Sequence, residues 1–305
     1  MKVLILGGAG VIGGHAAIHL QSKGHEVTIA GRQRPDSVPV LAALPFLKGD
    51  YVHDDITTEQ LTGFDAVVFT AGADARHVPV GEDVDKYVIH ANGVAVPAFA
   101  KRARSAGVKH FVHIGSAYPH VIPDLAERNT YVRSRVLAGE GVAKLSTPTF
   151  FACSLDPPFV VGIVPGMKVS MFEAYVKYAE GKLGLPESAP MGGFNFISEQ
   201  SLSEAIEGAL ENGPAVAGRT ILVGDENLTY AAYFEKFFRA VRKTNVTIQA
   251  RDEEHPLLPR GALFGGDRVL SYEPDPEDVK ILGNYRRKDI DNAVEDCVKE
   301  YHVVG

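Results

Sequence analysis

The sequence predicts an α/β protein: a doubly wound parallel sheet followed by a smaller C-terminal lobe. Three observations carry this. Short apolar runs of buried-strand type recur through the first half, helical stretches separate them, and a glycine-rich turn joins the first run to the first helix. "KVLIL" is the first strand, residues 11–23 the first helix, closed by Gly24, and "EVTIA" the second strand. A weaker third strand is expected near "PFLKGD" and a fourth in "DAVVFTAG". One long helix is expected over 82–106, ending at Gly107. "KHFVHIGS" is the fifth strand, "TYVRSRVLAGEGVAKL" a helix, and "TPTFFACSL" the sixth strand. From residue 157 prolines and glycines loosen the rhythm. Helices are expected at 168–181, 199–211 and 228–243, with "RTILVG" a strand between the last two. The expected division is residues 1–156 for the sheet domain and 157–305 mainly for a lobe packed on it and partly interleaved with it.

Composition narrows the function. The chain has 305 residues, 45% of them hydrophobic, and 31 glycines, as expected of a globular enzyme. A net charge of −7 argues against nucleic acid, because phosphate neutralisation needs clustered cations. The local run Lys101-Arg102-Ala103-Arg104 reads as the solvated face of a helix. Cys153 and Cys297 make neither a disulfide framework nor a zinc spacing, and the histidines are scattered, so no metal site is expected. No apolar stretch approaches a membrane span, and "MKVLILGG" is too short for a signal peptide, so no membrane partner and a cytoplasmic location are expected.

The turn "GGAGVIGG", residues 7–14, follows the first strand directly and opens the first helix, with Gly7, Gly10 and Gly13 at G-x-x-G-x-x-G spacing around Val11 and Ile12. One glycine permits a tight turn, another lets backbone approach a pyrophosphate, and the third brings helix and strand together; free N–H groups at the helix start then face the phosphates. This predicts a dinucleotide site. The end of the second strand, "TIAGRQRP", has no acid to hold a ribose 2′-hydroxyl, and Arg32 stands there with Arg34 close behind. A guanidinium suits a 2′-phosphate, so NADP (NADPH) is the expected cofactor.

With these residues the chain resembles the short-chain dehydrogenase/reductase superfamily, in particular its extended or atypical, epimerase/dehydratase-like branch. The resemblance runs over nearly the whole length and implies a Rossmann-type fold. In "GDYVHDDIT" it places an acid against the adenine, either Asp50 or Asp55. In "FTAG" it places Thr70, Ala71 and Gly72 behind the nicotinamide ribose. It further implies Asn92 and Ser116 in "HANGVAVPAFAKRARSAGVKHFVHIGS", and Pro157 and Phe159 in the "LDPPFVVG" turn by the nicotinamide. The family's chemistry moves a hydride between the nicotinamide and a carbonyl carbon, while a tyrosine hydroxyl exchanges the proton on the oxygen and a serine hydroxyl steadies it. Here Tyr131 matches the tyrosine and Ser116 the serine. The usual lysine four residues on is replaced by Arg135, which keeps the charge and shares a helix face with Tyr131 but cannot shed a proton. The pair "YAEGK", Tyr178 to Lys182, has the right letters in the wrong place.

The reading that follows is an NADP-dependent reductase or dehydrogenase acting on a carbonyl or secondary alcohol of a small molecule. Tyr131 is its acid/base, Ser116 the carbonyl anchor and Arg135 the phenolate partner; both Tyr131 and Arg135 are also expected at the cofactor. Two alternatives stay open: a sugar-nucleotide epimerase or dehydratase with transient hydride transfer, and a non-catalytic NADP-binding regulatory protein. The resemblance leaves room for a homodimer. Tyr118, Arg76, His77 and His120 are further candidates near the site, and His113 reads as a buried strand histidine. Phe159, Met167, Met171, Phe172 and Tyr175 read either as an apolar substrate surface or as core.

Overall fold

The computed structural model describes residues 1–304. The chain divides into two compact units: residues 1–157 with 202–223 and 274–285, and residues 158–201 with 224–273 and 286–305.

The first unit is built on a parallel sheet of seven strands. Six of them are β1 (Lys2–Leu6), β2 (Glu26–Gly31), β3 (Phe46–Lys48), β4 (Ala66–Phe69), β5 (His110–Ile114) and β6 (Phe151–Asp156). The seventh, Thr220–Leu222, pairs with β6, and the spatial order is Thr220–Leu222, β6, β5, β4, β1, β2, β3. Every pairing is parallel. Parallel strands are covered on both faces, which is why β4 and, after Lys2, β1 are unbroken apolar runs: Val3, Leu4, Ile5, Val67, Val68 and Phe69 are fully buried. Strand order reverses between β1 and β4, the topological switch point at which such sheets open a crevice at their carboxyl ends. Phe69 sits at the centre of an edge-to-face aromatic group with Tyr51 and Phe99, at ring separations of 5.0 and 5.5 Å.

The first helix, Val11–Ser22, buries Ala16, Ala17 and Leu20 and is closed by Gly24 at φ +85°. The expected single helix over 82–106 is broken into α-helix Val84–Val88, a π-helical turn Ile89–Val94 and α-helix Ala95–Ser105. Pro97 has no N–H for the preceding turn, and Asn92 in that turn is tied sideways: its Oδ1 accepts from Ala73 N at 2.9 Å and its Nδ2 donates to Ala73 O at 2.8 Å.

The second unit has its own core. Strand Gly193–Ser198 pairs with Phe159–Val161, Glu226–Thr229 and Val269–Leu270, and Ser188–Pro190 pairs with Gln249–Arg251. Helices Ser170–Ala179 and Tyr230–Arg242 bring Phe172, Tyr175, Tyr178, Tyr233, Phe234 and Phe237 together. Phe172 and Tyr175 are therefore core. Tyr178 is buried there too, and its hydroxyl is spent on the Pro186 and Ser188 carbonyls at 2.6 and 2.8 Å, which removes the "YAEGK" pair from the chemistry. No helix among the described residues is long and apolar enough to cross a membrane.

Candidate active site

The glycine turn has the form a pyrophosphate cradle requires. Gly7 adopts φ +87°, and Gly10 N donates to Gly7 O at 3.0 Å to close the turn. A Cβ on Gly13 would stand 2.4 Å from Gly7 O and 2.5 Å from Thr70 Oγ1; one on Gly7 would meet the same Thr70 oxygen at 2.7 Å. Only bare backbone lets β1, β4 and the helix start approach this closely. The helix begins at Val11 behind Gly10 without a side-chain cap, so no side chain takes up the N–H groups of its first turn, the arrangement an anion-binding helix start requires.

A cavity of about 660 Å³ opens at this turn. Of the sequence candidates, Gly7, Gly10, Arg32, Asp50, Thr70, Ala71, Gly72 and His77 line it; Val11, Ile12, Gly13, Asp55, Arg76, Asn92, Ser116, Tyr118, His120, Tyr131, Arg135, Pro157 and Phe159 do not. Between the two candidate acids, Asp50 is the one at the cavity, where Oδ1 also accepts from Val52 N at 3.0 Å. Asn92 is fully buried under Ala73 and further donates to Ser134 Oγ at 3.0 Å, so its amide is spent on holding the loop after β4. Arg34 is likewise used up, donating to Ala42 O at 2.7 Å and pairing with Asp36 at 3.3 Å. Arg32 is exposed at the cavity wall and has no ion-pair or hydrogen-bond partner among the described residues. Sequence reasoning missed Gln33, Tyr51, Val52 and Tyr87 on the same wall, since no local pattern marks them.

The helix Thr130–Ala143 carries the catalytic candidates. Asn129 caps it by accepting from Val132 N at 3.0 Å, which sets Tyr131 in the first turn. Arg135, one turn on, is buried: its Nη2 donates to Ile114 O at 2.6 Å and to Gly115 O at 3.0 Å, clamping the guanidinium on the carboxyl end of β5. Its Nη1 lies 2.7 Å from where a Cβ on Gly72 would stand, so the other prong reaches a cavity-lining residue, and its buried Nε has no hydrogen-bond partner. The charge is felt around it. Burial drives the His113 imidazole well below its ordinary range and Arg135 pushes it further down. Burial also raises the Tyr51 hydroxyl, against the pull of Arg135. Ser116 follows β5, is buried, and accepts a long bond from Tyr118 N at 3.4 Å.

Arg76 is bound to Asp74 through Nε and Nη2, at 3.1 and 2.6 Å to Oδ2. Burial would raise the Asp74 carboxyl, but the Arg76 hydrogen bonds outweigh it and hold it below the usual carboxylate range. Asp74 raises the Arg76 guanidinium in return, with a smaller contribution from Tyr131, which places Arg76 within electrostatic reach of the candidate acid/base. His120 Nε2 lies 2.6 Å from Asp156 Oδ2. Asp156 was not picked out by sequence reasoning, although an acid closing a buried apolar strand is itself a signal.

A Rossmann-type parallel sheet with a glycine cradle at the carboxyl end of its first strand defines a nicotinamide-nucleotide-dependent protein of the short-chain dehydrogenase/reductase type. The profile of the NAD dependent epimerase/dehydratase family matches residues 3–177, more than half of the chain, and the chain belongs to that family. Among characterised relatives, a UDP-glucose 4-epimerase of Klebsiella pneumoniae is 34% identical over 127 residues, covering 38% of this chain and 90% of the relative. One of Corynebacterium glutamicum is 33% identical over 153 residues, covering 48% of this chain and less than half, 44%, of the relative. Solved structures share the fold. The UDP-glucuronic acid 4-epimerase of Bacillus cereus in complex with NAD superposes with TM-score 0.73 at 14% identity over 100% of both chains. The UDP-glucose-4-epimerase of Stenotrophomonas maltophila, with bound NAD and formylated UDP-arabinopyranose, superposes with TM-score 0.74 at 20% identity, covering 99% of this chain and 98% of that one.

Proposed function

We infer that the protein is an NADP-using epimerase or dehydratase acting on a nucleotide-activated sugar, with a hydride taken from the substrate and returned to it. The first unit would carry the cofactor and the second the substrate specificity. The observation that carries the reading is the state of Arg135. Its guanidinium is buried, bonded to two carbonyls of β5 and permanently charged, so it cannot pass protons as a lysine ammonium can. A net reductase draws a proton from solvent in every turnover. An epimerase that gives back its hydride gives back the proton as well, so a cation that does not titrate costs it least. Family membership and the UDP-sugar 4-epimerase relatives point the same way and favour this reading over a general carbonyl reductase.

The residues present fit a dinucleotide: the cradle at Gly7, Gly10 and Gly13 for its pyrophosphate, Asp50 for its adenine end, and unpaired Arg32 for a 2′-phosphate. When bound, the nicotinamide accepts and returns the hydride. Tyr131 takes the hydroxyl proton of the substrate carbon being oxidised and gives it back on reduction; Ser116 hydrogen-bonds the same oxygen and orients it. Arg135 supplies a fixed positive charge one helical turn from Tyr131 and, by way of Nη1, reaches the Gly72 wall where the nicotinamide ribose would lie.

The test is incubation of the cofactor-loaded protein with UDP-glucose, UDP-N-acetylglucosamine and UDP-glucuronic acid, with products separated by chromatography. A 4-epimer or dehydrated sugar formed without net cofactor consumption, and lost in Tyr131→Phe, supports the reading. Stoichiometric NADPH oxidation with simple ketones, and no reaction of any nucleotide sugar, would overturn it in favour of the reductase.

A further inference from the structure

One polar cluster at this edge of the sheet takes no part in the chemistry above. Asp156 closes β6, is buried, and has both oxygens engaged: Oδ1 accepts from Ser154 Oγ at 2.6 Å, and Oδ2 meets His120 Nε2 at 2.6 Å. Behind Ser154 stands His113, its Nδ1 2.9 Å from the serine oxygen. His113 is sealed in, whereas the His120 side chain is 27% exposed and its Nδ1 has no hydrogen-bond partner among the described residues. An imidazole held at one nitrogen by a buried carboxylate and open at the other is an oriented acid/base.

The cluster is assembled on the segment that carries the proposed chemistry. Asp156 Oδ1 lies 1.8 Å from where a Cβ on Gly115 would stand, so only glycine admits the carboxylate there. The Gly115 carbonyl receives Arg135 Nη2 at 3.0 Å, and Ser116 is the next residue. His120 lies on the short helix Tyr118–Val121, which packs on the helix bearing Tyr131 and Arg135.

The geometry points to His120 as a base for a carbon-bound proton of the substrate, on the carbon next to the one transiently oxidised. This rests on the hydride-transfer reading. Tyr131 and Ser116 already serve the oxygen; once that carbon is a ketone, the acidic hydrogen left to an additional base is the one α to it. The C–H bond breaks, its electron pair becomes the C=C bond of an enolate, charge gathers on the oxygen under the Ser116 and Tyr131 hydroxyls, and the proton passes to His120 Nδ1. Asp156 balances the imidazolium. Return of a proton from His120 to the carbon restores the ketone, and hydride return then reduces it, so no further oxidant or reductant is consumed. Such a site would act at two carbons of one sugar, the second by proton exchange.

The experiment runs the cofactor-loaded protein in D2O with UDP-glucose, UDP-N-acetylglucosamine and UDP-glucuronic acid. Mass spectrometry and proton NMR locate deuterium in the recovered sugar, and hydride transfer is followed in the same samples. The expected result is deuterium on the carbon adjacent to the oxidised one. The ratio of exchange to hydride transfer should fall by at least about tenfold in His120→Gln and fall also in Asp156→Asn, with thermal unfolding confirming that both variants fold. Hydride transfer without solvent deuterium in the wild-type protein, or an unchanged ratio in His120→Gln, overturns the role of His120 alone. Absence of hydride transfer with all three sugars overturns the nucleotide-sugar reading, and this inference with it.

Discussion

Replacing Glu199 by glutamine tests the physics of the second unit at a single atom. Glu199 is buried; its Oε1 accepts from Ile163 N at 2.7 Å, and its Oε2 is buried without a hydrogen-bond partner, against Gly162. Burial raises its carboxyl from 4.5 to about 8, only partly offset by the Ile163 hydrogen bond, and the carboxylates of Asp296 and Asp289 add to the rise. The folded protein therefore keeps a proton that the unfolded chain releases above 4.5. Stability should fall as pH rises from 4.5 through about 8 and level off beyond. At ~1.4 kcal/mol per pH unit, that interval amounts to about 5 kcal/mol, a large share of the ~5–15 kcal/mol that holds a typical domain together. Glu199→Gln keeps the acceptor for Ile163 N and never ionises. Urea unfolding of both proteins across this range should show the variant gaining on the wild type as pH rises, with the gap widest at the alkaline end. A gap independent of pH would refute the argument, because it would mean that Glu199 carries the same charge in the folded and unfolded chains.

Arg32→Ala should weaken NADPH by about 10- to 150-fold, the value of a charged hydrogen bond at ~1.5–3 kcal/mol, and leave NADH nearly unchanged; calorimetric titration checks both. Equal loss for the two nucleotides would remove Arg32 as the phosphate reader. Arg135→Met should lower kcat by about 100-fold or more while Arg135→Lys retains most activity, since the first leaves the developing phenolate without a cation; steady-state assay of the pair decides it, and equal tolerance would deny the charge a role. Gly13→Ala should abolish dinucleotide binding, measured by nucleotide fluorescence, because the added methyl carbon would lie 2.4 Å from Gly7 O.

How much was legible in advance follows from how local each feature is. Val3–Leu6 of β1 and all of β4 are continuous apolar runs because both faces of a parallel sheet are covered, and burial of that kind is written in every residue of the run. The glycine turn is legible for the same reason: the backbone conformation at Gly7 and the close approach at Gly13 are demands on single positions, answered by glycine at fixed spacing. Strands such as Phe159–Val161 and Ser188–Pro190 are too short to show a period, and the segment 82–106 has helical letters throughout, so its π-helical turn is invisible until Asn92 is seen bonded to Ala73.

By itself, the sequence determined the sheet, the glycine turn, the place of Arg32 after the second strand and the exchange of lysine for arginine at 135. The tertiary structure decided what those residues touch. It chose Asp50 over Asp55 at the cavity, spent Arg34 and Asn92 on backbone, seated Arg135 on the carbonyls of β5, and joined His120 to Asp156 across 36 positions of chain. The physical reason is that a hydrogen bond or an ion pair depends on distances of about 3 Å, and those between residues far apart in sequence are set by how strands and helices pack, which no local pattern of residue types records.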